Sequence, residues 1–296
     1  MPPSHGPLLR TPAPLVGIGL RAPHYKQVVD SPPNSIGWME VHPENYFGGG
    51  FHKEMLRKVR ANTDISFHGV GLSLGSDQPV DENHLKNLKE LIQEFDPFVV
   101  SDHASWSRSG NAHMNDLLPL PYTTETLNRL ADNVSRTQDY LGRAMLVENP
   151  STYLSFAQDE MSEPDFLNRL TEKTGCSLLL DINNIFVQAH NHNFDAEQYL
   201  DAINPTYVKE IHLAGHIEQS HGDASLLIDT HSKPVRKDVW DLYEKAAQLF
   251  GPTLTLIEWD ADIPPLEVLL EEAARAESIQ TTINRSGQER LQRAAL

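Results

Sequence analysis

Eight short apolar runs, separated by stretches with helical periodicity, constrain this chain more than any other feature of it. They fall at 16–20 (VGIGL), 37–41 (GWMEV), 65–70 (ISFHGV), 98–101 (FVVS), 144–148 (AMLVE), 177–181 (SLLLD), 208–213 (VKEIHL) and 253–258 (TLTLIE). Each is short enough for a buried strand and rich in the residues that strands favour. The spacing predicts helices over 83–95, 124–141, 164–174, 196–203, 237–249 and 265–276. Thr123 and Thr124 before Glu125, and Pro164 before Asp165, have the chemistry of helix starts, while Gly175 and Gly251 stand where C-terminal caps belong. Strands that alternate with helices pair in parallel through crossover connections. Eight such units close into a (β/α)8 barrel, and 296 residues suit that fold with a few insertions. A doubly wound dinucleotide fold is disfavoured, because GIGLR after the first run is too short for the glycine-rich phosphate loop. The expectation is one α/β barrel domain over 1–296, its core about 15–280, with a polar tail at 281–296 that extends a helix or frays. The segment 214–234 has no clear period; its His216, His221, Asp229 and His231 mark it as a functional loop.

Charge and cysteine usage narrow the setting. Asp and Glu number 41 against 24 Lys and Arg, a formal net charge of −17. Affinity for nucleic acid comes largely from cations that neutralise phosphates, so no nucleic-acid partner is expected. No long uncharged apolar run suggests a membrane span. Prolines in the opening MPPSHGPLLRTPAP sit where a signal peptide needs its apolar stretch, which points to a cytoplasmic protein. The single cysteine, Cys176, excludes an intrachain disulfide and any metal site built on several thiolates, and its place at the start of a strand reads as packing. Trp38 and Trp240 likewise read as core, whereas Trp106 and Trp259 are candidates for a peptide groove.

In a parallel barrel the C-terminal strand ends open onto one face, where active sites are built. The residues there are rich in metal ligands. The second run ends in Glu40, followed by His42, Glu44 and Asn45, and the third reaches His68. The fourth leads to Asp102 and His103, the fifth to Glu148 and Asn149, the sixth to Asp181 with Asn183 and Asn184 after it. The seventh reaches His212 with His216 beyond, the loop behind offers Asp229 and His231, and the eighth ends in Glu258 ahead of Asp260. Each alone reads most simply as a cap or a loop hydrogen bond. Together they gather like-charged carboxylates at one barrel mouth, where they repel one another unless cations lie between them. Imidazole with carboxylate, and no thiolate, suits zinc, iron or manganese.

The order His68, His103, Glu148, Asp181, His212, Asp229, His231, Glu258 resembles the three-metal site of endonuclease-four and xylose-isomerase-like barrels. GIGLR, MEVHPENYF, FHGVGLSLG, SDHASWS, DLLPLPYT, LVENPSTY, LLLDINN, IHLAGH, DTHSKPV and EWDADIP together resemble the multinuclear non-heme iron-dependent oxidases, from about Gly17 to Pro264. That resemblance implies a first iron on His68, His103 and Glu148, and a second on the shared Glu148 with Asp181, His212 and Glu258. It implies a third site on Asn184, Asp229 and His231. Asn184 stands where the endonuclease-like relatives use histidine, and its neutral amide is a weaker ligand. Asp260 resembles an acid/base residue of the family. Glu40, His42, Glu44, Asn45, Asp102, Asn149 and His216 are assigned to the surroundings of the metals or the substrate. The implied chemistry is oxidation of a cysteine in a ribosomally made peptide by O2 and two or three mixed-valent irons, giving an oxazolone–thioamide, a thiooxazole or a related product. A separate partner protein would present the peptide. The rival readings are a zinc or manganese hydrolase and a sugar isomerase of the same superfamily; a phosphodiester hydrolase would need a basic path that a charge of −17 argues against.

Overall fold

The computed structural model describes residues 12–110, 112–222 and 224–294; for 221, 224 and 286–294 it describes the backbone alone. Most of the opening segment on which the signal-peptide reading rests, 1–11, and the last two residues of the tail lie outside the described residues, as does the His221 side chain. The strands are β1 (Val16–Gly19), β2 (Trp38–Val41), β3 (Asp64–His68), β4 (Val100–His103), β5 (Trp106–Ser109), β6 (Ala112–Leu118), β7 (Leu146–Glu148), β8 (Ser177–Asp181), β9 (Val208–Leu213), β10 (His216–His221), β11 (Ala224–Asp229) and β12 (Leu254–Ile257). The helices are α1 (Tyr25–Asp30), α2 (Gly50–Arg60), α3 (Glu82–Phe95), α4 (Thr124–Leu141), α5 (Glu163–Thr174), α6 (Ile182–His192), α7 (Ala196–Ala202), α8 (Lys237–Phe250) and α9 (Leu266–Ala294).

Eight strands close a parallel barrel in the order β1-β12-β9-β8-β7-β4-β3-β2. These are the eight apolar runs of the sequence, with ends shifted by a few residues at most. The anticipated starts and stops hold: Thr123 accepts a hydrogen bond from Thr126 N, Ser162 caps α5 with Pro164 in its first turn, and Gly175 and Gly251 end α5 and α8 at positive φ. Helices α2 and α6, besides the short α1, were not anticipated. The first opens on glycines, and the second hides its apolar face among the Asn, Gln and His of INNIFVQAHNH. The tail takes the helical alternative, since α9 runs through Ala294. Among the described residues no helix is long and apolar enough to cross a membrane.

Two antiparallel hairpins, β5–β6 and β10–β11, stand on the barrel. The second corrects the reading of 214–234 as irregular. His216 pairs with Asp229 at its base, so most of the segment is paired strand. Its residues are largely polar or surface-facing, which is why no apolar period marks it.

The barrel interior is stratified. Trp38, Phe98, Val99, Leu146, Leu179, Leu254 and Leu256 pack as a separate apolar cluster, and the Trp38 indole donates to Leu15 O at 2.9 Å. Two residues further along the strands, hence on the same inward face, come Glu40 after Trp38, Glu148 after Leu146, Asp181 after Leu179 and Glu258 after Leu256. The strands therefore carry a hydrophobic plug at one level and charge at the next. Cys176 immediately precedes β8, at the other end from the charge, and is fully buried, its thiol pushed up to about 11 by burial. Trp38 and Trp240 are fully buried, as the sequence implies.

The base of the β10–β11 hairpin depends on Gly215, where a Cβ would meet Lys233 O at 2.0 Å and Pro234 O at 2.6 Å. Neither contact is with a flexible side chain, so the backbone itself must move. We expect Gly215→Ala to destabilise the protein by roughly 3 kcal/mol, measured by urea denaturation.

Candidate metal centre

Parallel register brings the strand-end residues together. His103 is paired with Glu148 across β4 and β7, and Asp181 with His212 across β8 and β9. Neighbouring strands lie about 4.8 Å apart, so side chains on one inward face at matched registers reach a common point. His68, His103, Glu148, Asp181, His212 and Glu258 are all buried there.

His68 Nε2, His103 Nε2 and Glu148 Oε2 form a triangle with sides of 3.1, 3.3 and 3.3 Å. Ligands about 2.0–2.1 Å from a single ion lie roughly 2.9–3.4 Å from one another at octahedral or tetrahedral angles, and the triangle matches that spacing. The outer nitrogens select the tautomer. His103 Nδ1 donates to Gly69 O at 3.2 Å, which leaves Nε2 as the lone-pair nitrogen, and His68 Nδ1 is held 2.8 Å from Ser101 Oγ. Burial alone would lower the His103 pKa, but Glu148 and Asp102 hold it up at about 9. Burial likewise opposes ionisation of Glu148, yet His103 and His68 bring it down to about 2. With no ion present, protons on imidazole do the neutralising.

Glu148 also belongs to a grouping with Asp181 and His212 whose ligand atoms lie within 4.8 Å of one another. His212 Nδ1 is 3.1 Å from Glu258 Oε2. Asp181 caps α6 with Oδ1, accepting from Asn184 N at 2.7 Å, while Oδ2 has no hydrogen-bond partner. Asn149 makes this placement rigid by exchanging two hydrogen bonds with the Asp181 backbone, at 2.9 and 3.2 Å. In the third grouping His231 Nε2 lies 2.8 Å from Asp229 Oδ1, and its Nδ1 is 3.3 Å from Glu258 Oε2. His231 has φ of 45°, an uncommon conformation for a residue with a Cβ, and its carbonyl accepts from Asp260 N and Ala261 N at 2.7 and 3.3 Å. Asn184 donates its amide to Asn149 O and leaves a buried Oδ1 without a partner.

Asp260 sits at the rim, 35% exposed. It accepts from Arg21 Nε at 3.0 Å and from Nη2, and its Oδ2 is 3.4 Å from His231 Nδ1. Burial and Glu258 oppose its ionisation, but Arg21, His231 and His42 hold its pKa well below the usual range. Arg21 also donates to His42 Nε2 at 3.1 Å, and His42 Nδ1 donates to His68 O at 3.1 Å. Asp102 accepts from His103 N and Leu72 N, fixing the loop after β3. A Cβ at Gly69 would lie 2.5 Å from Asp102 Oδ2. Glu44 is engaged away from the mouth, accepting from Val70 N at 3.1 Å and pairing with His84 at 3.2 Å. The Asn45 side chain is exposed and is not among the residues lining the mouth. His216 also stands outside the mouth. It meets Asn183 Oδ1 at 2.7 Å, and Asn183 donates to Asp229 Oδ1 at 2.8 Å, so it supports Asp229 through one intermediary.

Two residues outside the expected set enter the site. Arg21, part of GIGLR, organises the rim. Glu210, two residues before His212 on the same strand face, is fully buried with neither oxygen hydrogen-bonded. Its Oε1 and that of Glu40 lie 3.5 and 3.3 Å from His212 Nε2. Burial and the neighbouring carboxylates push both glutamates up. An inward carboxylate two positions before a candidate ligand histidine was the signal available in sequence.

The mouth encloses about 240 Å3, lined among others by His68, His103, Glu148, Asn184, Glu258 and Asp260. Glu148 Oε2, Asp181 Oδ2 and Asn184 Oδ1 are buried without hydrogen-bond partners, a costly state that cations relieve. The donor set of imidazole, carboxylate and one amide fits a cluster of divalent or trivalent metal ions.

Residues 15–281 match the family described as RiPP precursor modification enzyme MbnB/TglH/ChrH, RiPP denoting a ribosomally synthesised and post-translationally modified peptide. The chain is 47% identical over 270 residues to a UPF0276 protein of Psychromonas ingrahamii, covering 90% of this chain and 95% of that one. Among solved structures it is similar to a xylose isomerase domain containing protein from Salmonella typhimurium, with a TM-score of 0.59 and 13% identity over 90% of this chain and 97% of that one. It is also similar to endonuclease IV from Thermus thermophilus, with a TM-score of 0.55 and 15% identity over 92% and 99% of the two chains. At these identities the structures share the fold, a xylose-isomerase-like barrel.

The charge pattern has a pH signature. His103 is raised from 6.5, so its contribution to the metal-free fold is complete below pH 6.5 and lost as pH rises through about 9. Glu148 is lowered from 4.5, so its contribution is complete above pH 4.5 and lost as pH falls through about 2. We expect His103→Ala to flatten the alkaline decline in melting temperature of the metal-free protein. Metal added at neutral pH should displace protons, seen by calorimetry in buffers of different ionisation enthalpy.

Proposed function

Because this chain belongs to the RiPP precursor modification enzyme family, we propose that it is a multinuclear iron oxidase that uses O2 to modify cysteine in a ribosomally made peptide. The observation that carries this reading is the sharing of Glu148. Its carboxylate closes the triangle with His68 and His103 and belongs equally to the grouping with Asp181 and His212. A carboxylate common to two ligand sets suits ions held close enough to act on one substrate.

His68, His103 and Glu148 would hold one ion; Glu148, Asp181, His212 and Glu258 a second; Asn184, Asp229 and His231 a third. Ions there supply thiolate binding and O2 reduction, for which the side chains have no equivalent. The side chains do the rest. Asp260, ionised at neutral pH and open to the mouth, is placed to accept the proton of an incoming thiol, while Arg21 and His42 hold it in position. Val70, Leu117 and Tyr153 at the rim limit water entry. A mouth of about 240 Å3 admits a side chain rather than a folded domain, which suits a peptide presented in extended form. Val70, Met114, Tyr153 and Leu154 are exposed hydrophobics on the loops and strand around this face, and they suit a separate presenting protein.

Metal analysis and Mössbauer spectroscopy of anaerobically purified, iron-57-grown protein test the reading. Two or three irons per chain with a coupled ferric–ferrous signal support it; stoichiometric zinc without iron after iron-replete growth replaces it with a hydrolase. His68→Ala, Asp181→Ala and Glu258→Ala should each lower turnover of the peptide by more than about 100-fold with the circular dichroism of the barrel retained.

A further inference from the structure

A second and larger cavity, about 430 Å3, lies beside the mouth, between the turn at 119–122, the loop at 150–162 and helices α5, α6 and α7. One stretch of chain separates the two chambers. Thr152 and Leu154 line the larger cavity, while Ser151 and Tyr153 line the mouth. Helix α6 braces this partition: Gln188 donates to Pro150 O at 3.0 Å and His192 Nε2 donates to Thr152 O at 2.9 Å. A chain crossing the exposed Tyr153 and Leu154 could place one side chain in the mouth and a near neighbour in the cavity.

The walls are mainly apolar, with Leu120, Leu154, Phe156, Met161, Phe194 and Tyr199 contributing. The charged lining is one-sided: it has three carboxylates and no Lys or Arg, and its one histidine is His192. Two of the carboxylates are already engaged. Asp159 accepts from Tyr122 N and Phe156 N, and Asp195 caps α7. Glu163 differs. It is 7% exposed, and its Oε1 has no hydrogen-bond partner. Burial pushes it up to about 7, against the hydroxyls of Tyr122 and Tyr199 and the amide of Gln188 that face it. As the first residue of α5 it gains from the helix dipole, but an exposed side chain would gain the same without desolvation. An anion would meet three carboxylates here, and a neutral apolar group would leave Oε1 of Glu163 unpaired and its charge without a counter-charge. A cation on an aliphatic stem satisfies walls and floor together.

We propose that this cavity binds a lysine or arginine side chain of the peptide offered to the barrel mouth, with Glu163 as its counter-charge. The identification of the cation's source rests on the peptide-modifying reading above; the recognition chemistry does not.

The test uses the full-length, metal-free chain with methyl-13C methionine, following the Met161 resonance during titration with acetyl-Gly-Lys-Gly-amide and its norleucine counterpart. We expect saturable shifts with an affinity about 10-fold greater for the lysine peptide, the worth of one charge-assisted hydrogen bond. That preference should grow between about pH 6 and pH 8 as Glu163 gives up its proton, and Glu163→Gln should abolish it. The variant's melting temperature, rising relative to the parent between about pH 4.5 and pH 7 and level above that because the parent must bury an ionised carboxylate, verifies that it is folded. Equal affinity for norleucine, or retained preference in folded Glu163→Gln, overturns the proposal. Putrescine binding more tightly than the lysine peptide overturns the peptide as source. Because no metal is used, a failed iron assignment and a failed pocket are separate results.

Discussion

Burying Glu40, Glu148, Asp181, Glu210 and Glu258 within one barrel is the electrostatic constraint on which the rest of the structure depends. Each would be ionised in water at neutral pH; Arg21 offsets part of that charge from the rim, its Nη2 3.8 Å from Glu258 Oε1. The imidazoles of His68, His103, His212 and His231 stand in the gaps. Against burial, the surrounding carboxylates hold His212 and His231 well above the ordinary range, while Asp181, buried among like charges, is driven well above its own. A protein stabilised for its own sake would place apolar groups at these positions. The arrangement is intelligible as a receptacle for positive charge.

The remainder of the scaffold makes that receptacle rigid. The apolar plug around Trp38 and Leu256 occupies the level below the charged residues. Above, four of the candidate ligands are oriented through neighbours that do not themselves line the mouth: Ser101 and Gly69 O for the two imidazoles of the first triangle, Asn149 for Asp181, Asn183 for Asp229. The carbonyl of His231, set by a left-handed backbone, accepts from Asp260 N and Ala261 N and so ties the loop after β11 to the turn after β12. Such outer contacts commonly decide metal affinity as strongly as some ligands do.

Much of this was legible in the sequence because a parallel barrel converts position along a strand into position in space. An acidic or imidazole residue closing an apolar run, as in SLLLD or VKEIHL, must fall on the mouth. The surface hairpins were not legible, since polar residues are interspersed through HIEQSH and the apolar run of ASLLID does not alternate, and a two-stranded hairpin needs no alternation to pair. Glu210 was obscured for a different reason. An interior carboxylate acquires meaning only from what it faces, and the closeness of Glu40 and His212 across β2 and β9 depends on barrel closure. Asn45 shares a motif with His42, and the short helical turn after His42 carries it outward, a placement that the motif alone does not reveal.

Asp181 links the cluster to the chain's local stability in a way that extends beyond chemistry. One of its oxygens holds the first turn of α6 and the other is buried without a hydrogen-bond partner beside the candidate metal groupings. An ion drawn to Oδ2 therefore fixes the same carboxylate that ends the fraying of the helix, and α6 in turn braces the partition at 150–152 through Gln188 and His192. Loading the cluster should be felt as slowed amide exchange along that helix, so that the partition between the two chambers stiffens when the protein is charged with metal and loosens when it is not.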